Sequence, residues 1–407
     1  MKTSLALLSL YSLLELSSAF VIPNKQKREE GLVRIPLVHK QRSVPFSKRD
    51  GNGIANLYSD SPAEFAITIN IGTPAQPVQV TLDTGSSDLV IPTTACSREH
   101  CSQFQLFDTT KSTTFSNFSI PMNLSYGIGN AIGYLGGEDV TIGGYSIKNQ
   151  TVGFVTDLVD QVDGTFGLGY PALTANNYNP FAIQLHNTNS VSSFSIYFDK
   201  NATDKNNAGE IIFGGGDATK FSGNLISTPN IPRTLENNST EYFYWDIVGQ
   251  YMSISNPGGL VSNVTYPNST DGVFLLIDTG SSYSTLPQNM IDEVISIFNA
   301  SDVEKDEESG LSIVPCTTSF YNDYKITFGV GFSNYGITEL TIPLADMIVQ
   351  TKDNTGKTVC ILGASPGDDH YILGLSVIHN FYMNFDFVKH QISFASAYKS
   401  SATVSQK

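Results

Sequence analysis

The chain is poor in several things, and each shortage excludes something. It has one tryptophan, Trp245, and four cysteines in 407 residues. Its six histidines (39, 100, 186, 370, 379 and 390) stand in no motif. Only His100 lies near a cysteine, too little for a zinc site, so no metal and no cofactor is expected. No Gly-x-Ser-x-Gly elbow surrounds Ser86 or Ser87, which argues against a serine hydrolase. Gly214-Gly215-Gly216 lacks the phosphate-loop pattern and reads as a turn. No apolar run reaches bilayer-spanning length, and the polar end Lys399 to Lys407 carries no lipid-anchor tail, so no membrane anchor is expected. Cations are scarce beyond residue 49: 14 Lys or Arg against 35 Asp or Glu, a formal −21. A body that acidic repels nucleic acid and anionic membranes. It also gains little positive self-repulsion when its carboxylates neutralise, which suits acidic surroundings.

What is present begins with an export signal. Lys2, the apolar stretch Leu5 to Leu14 and the small residues Ser17-Ser18-Ala19 give residues 1–19 the form of a cleavable signal peptide. Residues 20–49 follow with eight Lys or Arg against Glu29 and Glu30, and end in the dibasic pair Lys48-Arg49. A basic leader on an acidic body suggests electrostatic docking of one on the other. The length allows two lobes, here 50–235 and 236–407. Secretion is the expected destination, with a vacuole the other compartment such a leader allows.

Export makes disulfides the natural state of the cysteines. Three pairings are open; local pairing within each half, Cys96–Cys101 and Cys316–Cys360, closes a tight and a longer loop without tying the lobes together. Nine Asn-x-Ser/Thr sequons agree with export: Asn117, Asn123, Asn149, Asn201, Asn237, Asn238, Asn263, Asn268 and Asn299.

Strand signals dominate. Glu64 to Ile71 alternates, breaks at Gly72-Thr73-Pro74 and resumes at Val78 to Leu82. Similar runs fall at 139–143, 151–155, 193–198 and 210–214. Helical spacing is confined to Gln288 to Asn299 and Pro180 to His186. A mostly β protein follows.

One motif occurs twice. Asp83-Thr84-Gly85-Ser86-Ser87 and Asp278-Thr279-Gly280-Ser281-Ser282 each follow an apolar run. Each is followed at similar distance by an apolar segment around a glycine, Phe166-Gly167-Leu168-Gly169 and Ile372-Leu373-Gly374. A long internal repeat of this kind reads as two similar lobes joined by the polar stretch Thr228 to Thr240. Two carboxyls held face to face cannot both ionise at ordinary acid pH, so one keeps a proton and the pair serves as acid and base together.

This ordered set resembles the pepsin-type aspartic endopeptidases, from about Arg34 to Ala397. Gly209-Glu210-Ile211-Ile212-Phe213 and the two-plus-two cysteine layout resemble secreted yeast and fungal members of the candidapepsin and yapsin kind. The resemblance implies a bilobal, mainly antiparallel β fold with a cleft between the lobes. It implies Asp83 and Asp278 as the catalytic pair. Gly85, Gly280, Ser86 and Ser281 would support the carboxyls, and Thr84 and Thr279 would reach between lobes. Ser125-Tyr126-Gly127-Ile128-Gly129 resembles the flap tip over substrate, and Val33-Arg34-Ile35-Pro36-Leu37 a prosegment. The implied enzyme is a monomeric zymogen that cleaves extended protein or peptide substrates and is inhibited by its own leader, with Lys40 as the inhibitory contact in the cleft. Apolar residues flanking the cleaved bond are the default preference; basic ones are the alternative. The rival reading is a silent relative that binds peptides or glycans. Such relatives lose one Asp or its glycine, and neither is lost here.

Two positions depart from the family pattern. Val90 stands where members usually carry the Trp that hydrogen-bonds the flap tyrosine, and Ile128 where a hydroxyl residue or Asp is common. The first puts flap anchoring in question.

Overall fold

The computed structural model describes residues 32–40 and 64–407, except 102–104, 127–128, 160–163, 201, 236, 268–271, 307–309, 318–319, 335, 354–355 and 369. The signal 1–19, most of the leader with Lys48-Arg49, Gly127, Ile128, Asn201 and Asn268 therefore lie outside the described residues.

Glu64–Ile71 forms a strand because its branched residues alternate: Ile67, Ile69 and Ile71 are buried while Thr68 and Asn70 face out. It pairs antiparallel with Gln76–Asp83, Ala66 opposite Thr81. An eight-stranded sheet grows from this hairpin, from Val38–Lys40 at one edge to Ser116–Tyr126 at the other. The second half builds a nine-stranded sheet around the long strand Asp246–Asn256.

The repeat seen in the sequence is a repeat in topology. In the first half, Gln76–Asp83 lies parallel to Thr165–Gly167, which is antiparallel to Leu89–Pro92. In the second, Val273–Ile277 lies parallel to Tyr371–Leu373, which is antiparallel to Ser284–Leu286. Each apolar-plus-glycine segment is thus the parallel neighbour of its aspartate strand.

A six-stranded sheet draws on both halves, in the order Val33–Pro36, Gly209–Phe213, Ser193–Phe198, Phe381–Asp386, Gln391–Ala397 and Phe221–Pro229. The halves join where Phe194 stands opposite Phe385, their rings stacked at 4.8 Å. Arg233–Thr234 and Thr240–Glu241 pair antiparallel on either side of the position where the sequence suggests that the lobes divide. Phe181–Asn189 and Gln288–Ile295 are the two longer helices among the described residues. Both disulfides are present, Cys96–Cys101 and Cys316–Cys360. Seven of the sequon asparagines, 117, 123, 149, 237, 238, 263 and 299, are exposed.

The described part of the leader is sheet. Val33–Pro36 pairs with Gly209–Phe213, and Val38–Lys40 pairs with Glu64–Ile71. Ile35 and Leu37 are buried, and Arg34 Nη1 bonds Glu210 Oε1 at 2.9 Å and Asp217 Oδ2 at 2.6 Å. Lys40 lies opposite Glu64 in this ladder.

Candidate active site

Both aspartates stand at the end of a strand in a parallel ladder. Asp83 closes Gln76–Asp83, and its carbonyl accepts from Leu168 N–H at 2.8 Å. Asp278 follows Val273–Ile277, and its N–H donates to the Leu373 carbonyl at 3.1 Å. The parallel neighbour in each half therefore fixes where its aspartate begins to turn.

The two loops then cross. A Cβ on Gly85 would stand 2.6 Å from Asp278 Cγ, and one on Gly280 would stand 2.7 Å from Asp83 Cγ. Each carboxyl occupies the space left open by the opposite glycine. The chain bends at both glycines without a left-handed φ; what they supply is room.

A symmetric hydrogen-bond set holds the crossing. Thr84 Oγ1 donates to the Ile277 carbonyl at 2.7 Å and accepts from Thr279 N–H at 3.0 Å. Thr279 Oγ1 donates to the Leu82 carbonyl at 2.9 Å and accepts from Thr84 N–H at 3.1 Å. Both threonines are buried, so these bonds form without competition from water. Each carboxyl has its own donors. Gly85 N–H reaches Asp83 Oδ1 at 2.8 Å and Ser86 Oγ reaches Oδ2 at 2.5 Å. Gly280 N–H and Ser281 Oγ do the same for Asp278 at 2.8 and 2.6 Å.

The electrostatics follow from this packing. Burial, then the charge of Asp278, pushes the Asp83 carboxyl well above the ordinary carboxylate range. Ser86 and the Gly85 N–H pull the other way without cancelling it. A pair in which one carboxyl keeps its proton while its neighbour is ionised can accept one proton and donate another in the same step. A separate cavity of about 550 Å³, lined by Phe298, Phe320 and Tyr324 among others, shares no residue with the aspartate loops.

Three side chains near the pair have no motif in the sequence. Asp88 is 3% exposed; its Oδ1 accepts from Tyr178 Oη at 2.7 Å and from Ala175 N–H at 3.0 Å. Ninety residues separate Asp88 and Tyr178, so spacing gives no sign of the contact. Trp245 is the third. It is 1% exposed and its Nε1–H donates to the Leu168 carbonyl at 2.8 Å. Its own carbonyl accepts from Ile277 N–H at 3.1 Å. The sole tryptophan thus ties the segment beside the Asp83 strand to the strand that leads into Asp278; its rarity is the one signal available in advance.

Tyr126 ends the strand Ser116–Tyr126 opposite Gly129. It packs on the cluster that contains Val90, Met122 and Leu135, as does Tyr178. Its hydroxyl is buried and makes no well-formed hydrogen bond, and the Thr165 side chain interacts with it. Burial, then the charges of Asp88 and Asp83, raises the pKa of this hydroxyl, so it remains a donor.

Residues 64–397 match the eukaryotic aspartyl protease family. Mucorpepsin of Rhizomucor pusillus is 27% identical, with 97% of each chain aligned. Secreted aspartic protease 7 of Candida albicans is 28% identical across 82% of this chain and 60% of its own length. Pepsin A of Bos taurus is 29% identical across 84% and 88%.

Proposed function

Since the chain belongs to the eukaryotic aspartyl protease family and is an aspartic endopeptidase, we propose that Asp83 and Asp278 are its catalytic pair. The crossed loops carry this reading: two buried carboxyls, each seated in the other's glycine gap and each held by one N–H and one hydroxyl.

The mechanism follows from a shared proton, as is general for aspartic proteases. The pair holds one proton, which belongs to the pair and not to a named residue. The ionised carboxyl removes a proton from a water seated between the two, and the water oxygen attacks the peptide carbonyl. The protonated carboxyl gives its proton to the carbonyl oxygen, so a neutral tetrahedral diol forms. In the second step a proton passes from the pair to the amide nitrogen, the C–N bond breaks, and a diol proton returns to the pair. Acid and amine leave, and the pair again holds one proton. Ser86 and Ser281 keep the outer oxygens bonded, which leaves the inner ones for water. Tyr126 and the hairpin around it contact the extended substrate, whose backbone bonds as an added strand would.

Residues 1–19 serve as the export signal and 20–49 as a propeptide. The strands Val33–Pro36 and Val38–Lys40 hold the precursor together until cleavage after Arg49. The exposed sequons fit a secreted glycoprotein.

The test is hydrolysis of casein or haemoglobin at acid pH, with and without pepstatin. Asp83→Asn and Asp278→Asn should each lower kcat by at least about a thousandfold, the scale of losing acid–base catalysis, while circular dichroism stays unchanged. Turnover retained in either variant would refute the pair. A precursor as active near neutral pH as the processed enzyme would refute the propeptide role.

A further inference from the structure

Val90 leaves the tyrosine at the end of Ser116–Tyr126 without the indole N–H that relatives place beside it. Something else must hold Tyr126 for it to work as a fixed wall, since an unpaired buried hydroxyl costs stability and leaves its ring free to rotate. Tyr178 is the residue in position. It shares with Tyr126 the apolar cluster around Val90. Its own O–H is committed to Asp88 Oδ1 at 2.7 Å, and Asp88 is fixed in turn by Ala175 N–H at 3.0 Å. That commitment fixes the polarity. A tyrosine that donates its only proton to a carboxylate presents oxygen lone pairs to any further neighbour, so it can only accept. Tyr126 holds a buried O–H with no acceptor. Donor and acceptor pack on the same small cluster.

We propose that Tyr178, held by Asp88, is the positioning residue for Tyr126, its hydroxyl oxygen accepting from Tyr126 Oη when a peptide lies in the cleft. The resulting chain runs from Tyr126 through Tyr178 to Asp88 and ends on a backbone amide. Each bond in such a chain polarises the next. The chain touches neither reacting carboxyl; its effect is to hold the ring of Tyr126 against the substrate on the side of Asp83. This rests on Asp83 and Asp278 being the catalytic pair.

The experiment is a double-mutant cycle on the full enzyme, read as kcat/KM on one chromogenic peptide, with unfolding midpoints measured in parallel. Tyr126→Phe and Tyr178→Phe should each lower kcat/KM by about tenfold, the scale of one buried hydrogen bond. The double variant should be no worse than either single one. Asp88→Asn keeps an acceptor for Tyr178 and should retain most activity, whereas Asp88→Ala should resemble Tyr178→Phe. If Tyr178→Phe lowers only the unfolding midpoint, or if the two losses multiply, the proposal is overturned. It is overturned equally if Tyr126→Phe couples to Thr165→Val and not to Tyr178→Phe. Failure of the catalytic pair itself would look different: Asp83→Asn and Asp278→Asn would then stay active whatever the cycle gave.

Discussion

At the scale of single residues, a carboxyl buried beside another carboxyl resists losing its proton. Asp83 is raised from an ordinary value of 3.8, first by burial and then by Asp278. The unfolded chain releases that proton as pH rises through 3.8, while the folded chain keeps it until its higher value is reached. Folding is therefore unpenalised by this group below 3.8 and increasingly penalised from there up to the folded value, about 8. The unfolding midpoint should fall between pH 4 and neutrality, measured by scanning calorimetry, and Asp83→Asn should flatten that slope and exceed the wild type near pH 7. The same logic applies to the reaction. Ser86 lowers the Asp83 value by hydrogen-bonding its ionised form. Ser86→Ala should move the alkaline limb of the kcat/KM profile to higher pH; an unmoved limb would mean Ser86 does not act on the pair. The two aspartates themselves were legible because their motif is repeated and contiguous. Asp88 and Tyr178 were not, because a contact between residues ninety positions apart leaves no local pattern.

Among the elements, the crossing of the two loops is held by four buried bonds. Thr84→Val keeps the shape and removes one donor and one acceptor. Equilibrium unfolding should show a loss of roughly 2–4 kcal/mol. The leader strand offers a pH effect of the opposite sign. Burial raises the Asp217 carboxyl, but Thr219 and then Arg34 outweigh it and leave it below its ordinary 3.8. That stabilisation is complete above 3.8 and is lost as pH falls through the lowered value. Arg34→Ala should therefore let cleavage after Arg49 begin at a less acid pH, followed by electrophoresis of precursor incubated across a pH series. Strands were read well where branched residues alternate, as at Glu64–Ile71 and Ser193–Phe198. Gly129–Ile142 was glimpsed only at its end. A Cβ on Gly133 would stand 2.0 Å from the Phe154 carbonyl oxygen, so glycine is there to admit a neighbouring strand, yet glycine in a sequence reads as a break.

For the molecule as a whole, Trp245 is the tie between halves. It packs on Tyr170, Phe194 and Phe385 at 4.9, 5.9 and 5.1 Å and bonds Leu168, whose N–H holds Asp83. Trp245→Phe should cost several kcal/mol of stability, on the order of a lost buried aromatic contact plus an unpaired carbonyl. It should also slow turnover, because the strand behind Asp83 loses its brace; urea titration and kcat measured on the same preparation test both. The two lobes were legible in the duplicated motif. The shared sheet was not, because the strands that meet across it lie far apart along the chain and carry no mark of their partner.

That shared sheet has a consequence for manufacture. Ser193–Phe198 waits for Phe381–Asp386 to be translated before it gains a neighbour on that side, and Asp83 waits for the loop around Asp278. A ribosome releasing this chain from its beginning thus exposes Asp83 without its facing carboxyl until Asp278 has been made. On the proposed assignment, the cutting tool is assembled only late in translation, after the second aspartate loop and its parallel neighbour Tyr371–Leu373 have emerged.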